Sequence, residues 1–459
     1  MRPFPARATA LCLAVIPTAM PAAASSLTMI YQANDYASQT NLLPPIPGAY
    51  GQVISGATGG AASGGQVFVL IPGKKGAYTK SLLHTFSQAT QATDGWTLSQ
   101  TLVADSHGNV WGATSQGGAN NTGTVFELVA PTTSTGTWGY KSAASLPVFP
   151  TSNGGADSLA FDSHGNLFGI SAQGCSANDC GSVFEVTAAT LAGGAAPAKL
   201  VINAPTSLGT TLTGLTLDTK GNLYGTTYGG GSYSYGTVWQ ISPGAKGQPY
   251  SFSVIHSFCS VQDSGGDCLD GFFPSGGVTF HKGVLYGTAD DGGAPDFETN
   301  PNTGIAFNYG ANGVAFAMTP PASPGAAWTY TTLHTQQDYV AWNTPGPDYN
   351  VHVPQTAPVV TSTGMVEFAT VTGGVLGAAP NTIYGGVISV NPATGADSIV
   401  SNAFAVQSGT PRSGPILDIN HPMAIHLDKA NRVYGAAGSA YDAVHATYSY
   451  WGVIYRIVP

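Results

Sequence analysis

The chain contains 459 residues, of which 61 are glycine and only 8% are charged. Such a composition excludes a charged coiled coil and a highly charged disordered protein, and abundant glycine with few helix formers favours strands joined by turns. The formal net charge of −9 argues against nucleic acid or an anionic membrane surface as a partner.

The first 24 residues have the organisation of a secretory signal peptide. Arg2 and Arg7 precede an apolar segment over residues 8–20, which is too short to span a bilayer. Three alanines ending at Ala24 then provide a small-residue cleavage site. We therefore expect a secreted or periplasmic protein whose mature part, residues 25–459, is one domain that does not insert into a membrane. A membrane anchor is the alternative interpretation of the apolar segment.

The pattern Gly-x-Val-aromatic-x-aliphatic recurs and predicts seven equivalent strands. It reads GTVFELVAP and GTVWQISP in two clear copies, each rich in β-branched and aromatic residues, which is typical of a strand. The copies begin at Gly65, Gly123, Gly181, Gly236, Gly313, Gly385 and Gly452. Recurrence at this spacing indicates a repeat architecture.

A second pattern, which reads LTLDTKGNLYGTTYGGG in its clearest copy, precedes the first. An apolar strand here meets an Asp-x-x-Gly-Asn turn, in which Asp accepts backbone N–H bonds and Gly supplies positive φ. The copies begin at Leu102, Leu159, Leu215, Val278 and Ile425. The expected turn formers are Asp105, Asp162 and Asp218.

A third pattern, such as SLLHTF from Ser81, follows the first and predicts a fourth strand in each unit, so we name the strands A, B, C and D. Seven units of four strands predict an all-β fold, a seven-bladed β-propeller of four-stranded antiparallel blades. The last unit lacks strand D, and the segment SLTMIYQAND from Ser26 resembles the missing strand. We predict that this N-terminal strand completes the last blade and closes the ring.

The motif YGTT-x-GG followed by GTVF resembles the Gloeo-Verruco (GloVer) tandem repeat of secreted bacterial proteins. The match is clearest around residues 166–186 and 222–241, and repeats cover nearly the whole mature chain. The resemblance implies a repeat fold and export. It implies no particular activity.

Four cysteines of the mature chain fall into two local pairs, which predict disulfides in an exported protein. Cys175 is close to Cys180, and Cys259 is close to Cys268. Short spacing favours pairing within each loop, although four cysteines allow three connectivities. Neither spacing fits zinc ligands.

The B–C and D–A connections of a propeller open on one face, and the longest insertions, residues 290–312 and 336–358, belong to these connections. Both cysteine pairs also belong there. We therefore expect a binding or interaction module that meets a glycan or protein ligand on this face. Acidic residues are concentrated over residues 263–298. They could form a calcium site or a pocket for a cationic or sugar ligand, and the alternative is that they are solvated loop residues. The candidate binding residues are Asp296, Glu298, Tyr339, Trp342 and Tyr349.

The alternative is a carbohydrate-active enzyme, a lyase or hydrolase, that uses acids and histidines of blades five to seven. Its candidate catalytic residues are His352, His421, His445, Asp290 and Asp291. An inert surface scaffold is the third interpretation. The chain has no Gly-x-Ser-x-Gly or HExxH motif, and the binding module is the favoured interpretation. The histidines at 84, 256 and 334 recur at one position of strand D, which indicates a structural role.

Overall fold

The structure is a computed structural model with side chains. It describes residues 26–32, 42–59, 64–149, 156–171, 181–194, 196–205, 208, 212–245, 248–293, 298–299, 306–307, 313–323, 326–335, 349–354, 356–375, 386–401, 422–437, 440–442, 447–449 and 453–458. The signal peptide predicted for the first 24 residues lies outside these ranges. Among the residues described, no helix has the length and apolar composition needed to cross a membrane.

Strands dominate the structure, and the two α-helices described, α1 (Gln91–Asp94) and α2 (Ala188–Leu191), have a single turn each. The N-terminal strand is β1 (Ser26–Gln32). The strands of the first four blades are β2 (Ile46–Pro47), β3 (Val53–Ala57), β4 (Gln66–Pro72), β5 (Tyr78–Thr85), β6 (Trp96–Ala104), β7 (Val110–Gln116), β8 (Thr124–Val129), β9 (Gly139–Ser145), β10 (Ser158–Phe161), β11 (Leu167–Ser171), β12 (Ser182–Val186), β13 (Lys199–Asn203), β14 (Leu212–Leu217), β15 (Leu223–Thr227), β16 (Thr237–Ser242) and β17 (Ser251–Ser257). The others are β18 (Val278–His281), β19 (Val284–Ala289), β20 (Glu298–Thr299), β21 (Ala306–Phe307), β22 (Val314–Thr319), β23 (Thr329–Thr335), β24 (Tyr349–Pro354), β25 (Val359–Val360), β26 (Val366–Val375), β27 (Gly386–Val390), β28 (Asp397–Ser401), β29 (Pro422–Leu427), β30 (Val433–Ala437), β31 (Ala440–Asp442), β32 (Thr447–Ser449) and β33 (Val453–Val458).

Seven antiparallel sheets form the blades, and in the first six the strands follow chain order from the inner strand A to the outer strand D. Blades 1 to 4 are β2–β5, β6–β9, β10–β13 and β14–β17. Blade 5 contains β18, β19, β22 and β23, and blade 6 contains β24 and β25 followed by β26, β27 and β28. Blade 7 contains β29, β30, β33 and β1. The predicted seven-bladed propeller is confirmed.

The ring closes where the N-terminal strand joins the last blade. Strand β1 pairs antiparallel with β33, so that Ser26 lies opposite Val458 and Gln32 lies opposite Val453. Strand D of blade 7 is therefore supplied by the N-terminal strand β1, as predicted. Because the chain continues from β1 into blade 1, this pairing ties the last blade to the first.

Aspartate anchors the turn between strands A and B. In blade 4, Oδ1 of Asp218 accepts hydrogen bonds from the backbone N–H groups of Lys220 (2.8 Å) and Asn222 (2.9 Å). The Tyr224 hydroxyl donates to Oδ2 at 3.0 Å, and Gly221 has a φ of 81°. Corresponding backbone bonds recur at Asp105, Asp162 and Asp428. The Asp-x-x-Gly-Asn pattern is therefore a turn motif, as expected.

A glycine in strand B faces an aromatic ring in strand C. Gly169 pairs with Phe184, and a Cβ atom at Gly169 would clash with that ring. The same close approach recurs at Gly112, Gly225, Gly287 and Gly435. In blade 6 the ring lies in strand B instead, where Phe368 pairs with the aliphatic Ile388 of strand C. The YGT and GTVF parts of the repeat are thus two halves of one packing contact.

The histidines that recur in strand D join neighbouring blades. Nε2 of His84 lies 2.7 Å from Oδ2 of Asp94, and the His84 ring stacks on Tyr140 of blade 2 with 3.6 Å between centroids. Blades 4 and 5 repeat this arrangement with His256, Asp270 and Tyr330. The recurrence of histidine therefore reflects packing between blades.

Two of the long connections contain strands. In the connection expected over residues 336–358, β24 pairs with the far end of β26, and His352 lies opposite Thr372. Tyr349 and His352 thus belong to strand A of blade 6 and not to an irregular loop, because the alternating segment YNVHVP suits a sheet edge. The insertion over residues 290–312 contains the short hairpin of β20 and β21.

Candidate functional site

Exposed aromatic side chains cluster where blades 4 and 5 meet, on the face of the B–C and D–A connections. We call Tyr228, Tyr235, Phe272 and Phe273 the aromatic patch. The tyrosines follow β15 in the B–C connection of blade 4, and the phenylalanines precede β18 in the next D–A connection. Tyr228 is 46% exposed and Tyr235 is 38% exposed, and Tyr233 of the same loop is 47% exposed. Large aromatic surface left in water at one place marks a candidate interaction site.

The rings of the aromatic patch support one another. Tyr228 stacks on Phe273 with 4.6 Å between centroids and 9° between planes. Phe272 meets Phe273 edge-on at 4.9 Å, and Tyr235 meets Phe272 edge-on at 5.3 Å. Stacked and edge-to-face geometries are the favourable arrangements of aromatic pairs. The patch is therefore a supported platform and not a set of independent surface rings.

The backbone at Phe273 holds the platform in place. Phe273 has a φ of 58°, a left-handed conformation that is costly for a bulky residue. Its N–H donates to the carbonyl of Tyr235 at 2.8 Å, and its own carbonyl accepts from the N–H of Asp290 at 3.2 Å. These two hydrogen bonds tie the D–A connection to both neighbouring B–C connections and keep the strained conformation.

A disulfide and a buried carboxylate shape the loop that carries the phenylalanines. Cys259 and Cys268 are bonded, as predicted. The buried Asp270 accepts hydrogen bonds from the Ser260 hydroxyl (2.7 Å) and lies 3.1 Å from Nε2 of His256. Burial alone would raise the pKa of the Asp270 carboxyl, but His256 and Ser260 outweigh it and hold that pKa below its usual value. The predicted partners Cys175 and Cys180 lie outside the described residues.

Two carboxylates border the platform. Asp290 is buried and accepts a hydrogen bond from the Ser275 hydroxyl at 2.7 Å. Asp291 is half-buried, and its backbone pairs with that of Phe272. Burial, followed by the negative charges of Asp290 and Asp291, raises the pKa of the Tyr228 hydroxyl. The patch therefore joins aromatic faces to hydrogen-bond acceptors and a negative potential.

Part of the predicted acidic run serves the loops themselves. Oδ1 of Asp263 accepts from the backbone N–H groups of Gly265 (2.8 Å) and Asp267 (3.0 Å). Asp270 and Asp290 are likewise hydrogen-bonded to serines. Among the residues described, no group of three or more His, Cys, Asp or Glu side chains is arranged to hold a metal ion.

The structure describes only some of the other predicted site residues. Asp290 and Asp291 lie together beside the patch. Glu298, Tyr349 and His352 lie in strands β20 and β24, where the backbone is described. The remaining candidates, Asp296, Tyr339, Trp342, His421 and His445, lie outside the described residues, so the convergence of histidines with acids stays a prediction.

The tyrosines of the patch are functional candidates that sequence reasoning missed. Their signal is compositional, because the blade 4 loop reads YGGGSYSYG, whereas the corresponding loops of blades 2 and 3 read SQGGANNTG and SAQGCSANDCG. Three tyrosines thus stand where the loops of blades 2 and 3 carry mainly small polar residues. Such a departure indicates a role outside the packing of the blade.

Many solved structures are similar to this chain, among them three from named bacteria. They are a catalytically inactive virginiamycin B lyase from Staphylococcus aureus with quinupristin (11% identity, 95% of this chain, 100% of that chain, TM-score 0.43), a gluconolactonase from Xanthomonas campestris (11%, 94%, 89%, 0.37) and a PQQ-bound aldose sugar dehydrogenase from Streptomyces coelicolor (14%, 75%, 92%, 0.37). Similarities this remote carry no argument about activity. No curated protein matches the chain significantly.

A family profile described as the Gloeobacter/Verrucomicrobia repeat matches residues 48–300, which is more than half of the chain. The matched segment covers blade 1 and contains the Asp-x-x-Gly-Asn turns and the glycine–aromatic contacts of blades 2 to 4. It also reaches into blade 5. The chain therefore belongs to the Gloeobacter/Verrucomicrobia repeat family.

Proposed function

We propose that the protein is an exported binding module that holds a glycan on the aromatic patch. The observation that carries this proposal is the stacking of the exposed Tyr228 on Phe273 directly beside Asp290 and Asp291. The C–H face of a sugar ring packs on an aromatic face, and sugar hydroxyls donate hydrogen bonds to carboxylates. The platform offers the first contact through its rings, and Asp291, the half-buried carboxylate at its edge, is the acceptor for the second.

The position of the patch supports the same role. It lies on the face that carries the long connections, on a rigid ring of blades, and rigid scaffolds with variable loops are common binding surfaces. The disulfide between Cys259 and Cys268 and the hydrogen bonds of Phe273 hold the platform in one shape, which reduces the entropy lost when a ligand binds.

The test is a glycan and peptide array probed with the mature protein, followed by titration of the strongest glycan. Tyr228→Ala is expected to weaken binding about fivefold, since one lost stacking contact is worth about 1 kcal/mol. Tyr228→Phe keeps the ring and should retain most of the affinity. Tyr50→Ala is the matched control, because Tyr50 is 50% exposed in the A–B turn of blade 1 on the opposite face.

Three outcomes would contradict the proposal. They are an array without glycan signal, a preference for peptides alone, and glycan binding that is unchanged in Tyr228→Ala. Equal losses in Tyr228→Ala and Tyr50→Ala would indicate a general effect on the protein and would also count against the patch.

A further inference from the structure

A cavity of about 610 Å³ lies on the axis of the propeller and is separate from the aromatic patch. Its lining comes from all seven blades, from Pro44 of blade 1 to His426 of blade 7. The inner strands are edge strands of their sheets, so their outer backbone N–H and C=O groups turn towards this space. A cavity of this size falls within the range of about 300–1,000 Å³ that is typical of small-molecule sites.

Four polar side chains in the lining are without hydrogen-bond partners in the described part of the chain. They are Gln100 and Thr101 of blade 2, Ser158 of blade 3 and His426 of blade 7. Other hydroxyls of the channel are used by the protein, since Thr279 donates to the carbonyl of Pro358 at 2.6 Å. Polar groups that the fold does not satisfy are available to a ligand or to water.

The charged groups of the channel lining argue against an anionic ligand. Among the lining residues described, Asp157 and His426 are the titratable side chains, and no lysine or arginine is present to bind an anion. Burial lowers the pKa of the His426 imidazole to about 4, so this ring is neutral at physiological pH and offers one N–H donor and one acceptor. Leu102, Leu159 and Leu215 supply apolar surface between these polar groups.

We propose that the axial channel binds a neutral, hydroxyl-rich small molecule of monosaccharide or disaccharide size. Hydroxyl groups can donate to and accept from amide, hydroxyl and imidazole groups alike, and the carbon skeleton of a sugar can pack on the leucines. Ser275 lines the channel and also donates to Asp290, so one side chain connects the channel wall to a carboxylate that borders the aromatic patch. The channel nevertheless forms a second site with its own residues.

The experiment is saturation-transfer NMR on the mature protein with a panel of free sugars. The panel contains glucose, galactose, mannose, N-acetylglucosamine and maltose, with glucuronate and glucosamine as charged analogues. Thr101→Trp fills the channel and is expected to weaken binding of the neutral sugars at least tenfold. His426→Phe keeps the ring volume and should weaken it several-fold. Thr79→Trp, which places the same side chain on the outer strand β5, is the matched control.

Binding that survives Thr101→Trp and His426→Phe at the wild-type level would overturn the proposal, as would the absence of any signal from the neutral sugars. Equal binding of glucuronate or of glucosamine would overturn the assignment of a neutral ligand. Tyr228→Ala separates the two sites, because it should leave the panel sugars bound while it weakens the glycan on the patch. If Thr101→Trp does not fold, Gln100→Ala combined with His426→Phe provides the same test without added bulk.

Discussion

The contact between Gly169 and Phe184 allows a quantitative test of how the repeat holds a blade together. In Gly169→Ala the new Cβ atom would lie 2.6 Å from Cε1 of Phe184 and 2.9 Å from Cδ2 of Leu159. Both neighbours belong to the buried core between blades 2 and 3, and Phe184 is 0% exposed. Neither side chain can move into solvent, so the added methyl group must strain the core.

Overpacking of this kind costs about 1–3 kcal/mol in a close-packed interior. Such a loss shifts the melting temperature of a chain this long by only about 2 °C, since the unfolding entropy grows with length. The midpoint of urea unfolding is therefore the better measurement. Gly139→Ala is the control, because its nearest neighbour would be Cβ of Val129 at an ordinary 3.4 Å, and it should change stability by less than about 0.5 kcal/mol.

The double variant Gly169→Ala with Phe184→Leu completes the test. Shortening the ring makes room for the methyl group, so the double variant should be at least about 1 kcal/mol more stable than the sum of the single effects. Blade 6 already contains such a compensation in Phe368 and Ile388. Strict additivity in this cycle, or a Gly169→Ala protein as stable as the wild type, would refute the reasoning.

Two pH predictions follow from buried carboxyls. The pKa of Asp270 is lowered below 3.8 in the folded state, so the ionised carboxylate stabilises the fold above its unfolded pKa, and this stabilisation is lost as pH falls through the folded pKa. Asp270→Asn should therefore reduce the fall of the urea midpoint at acid pH. An unchanged fall would contradict the prediction. Burial raises the pKa of Glu367 from 4.5 to about 7, so the folded state holds the proton more tightly and stability falls as pH rises from 4.5 to 7. Glu367→Gln should remove this decline. The difference in unfolding free energy between the variant and the wild type should therefore rise by up to about 3 kcal/mol in favour of the variant from pH 4.5 to pH 8. Parallel pH curves for the two proteins would show that Glu367 is not the cause.

Glu367 occupies a position at which blade 6 departs from the repeat, and the A–B turn explains the difference. The corresponding position of strand B is aromatic in other blades, as at Trp111 and Tyr224, whose polar atoms hydrogen-bond to the turn aspartate. In blade 6 the turn residue is Thr361, so an aromatic hydrogen-bond donor has no carboxylate to meet. One carboxylate oxygen of Glu367 is buried without a partner among the residues described.

The repeats made the fold predictable from sequence alone. Each strand, each aspartate turn and each glycine–aromatic pair is specified by residues close together in the chain, and the pattern is written several times over. The missing strand D of the last unit and the orphan segment at Ser26 even indicated how the ring closes. Strand A of blade 6 was not recognised, because β24 lies in the most degenerate repeat and lacks the aspartate turn.

The candidate sites depend on contacts that no local pattern contains. The aromatic patch exists because the connection after β15 meets the connection after β17, and the strained backbone of Phe273 bridges them. The channel brings together Thr101, Ser158 and His426, which belong to three blades and meet only when the ring has closed. The sequence determined the blades through short-range pattern, whereas the tertiary structure decided which side chains share a surface, because ring closure places residues by blade geometry and not by their separation along the chain.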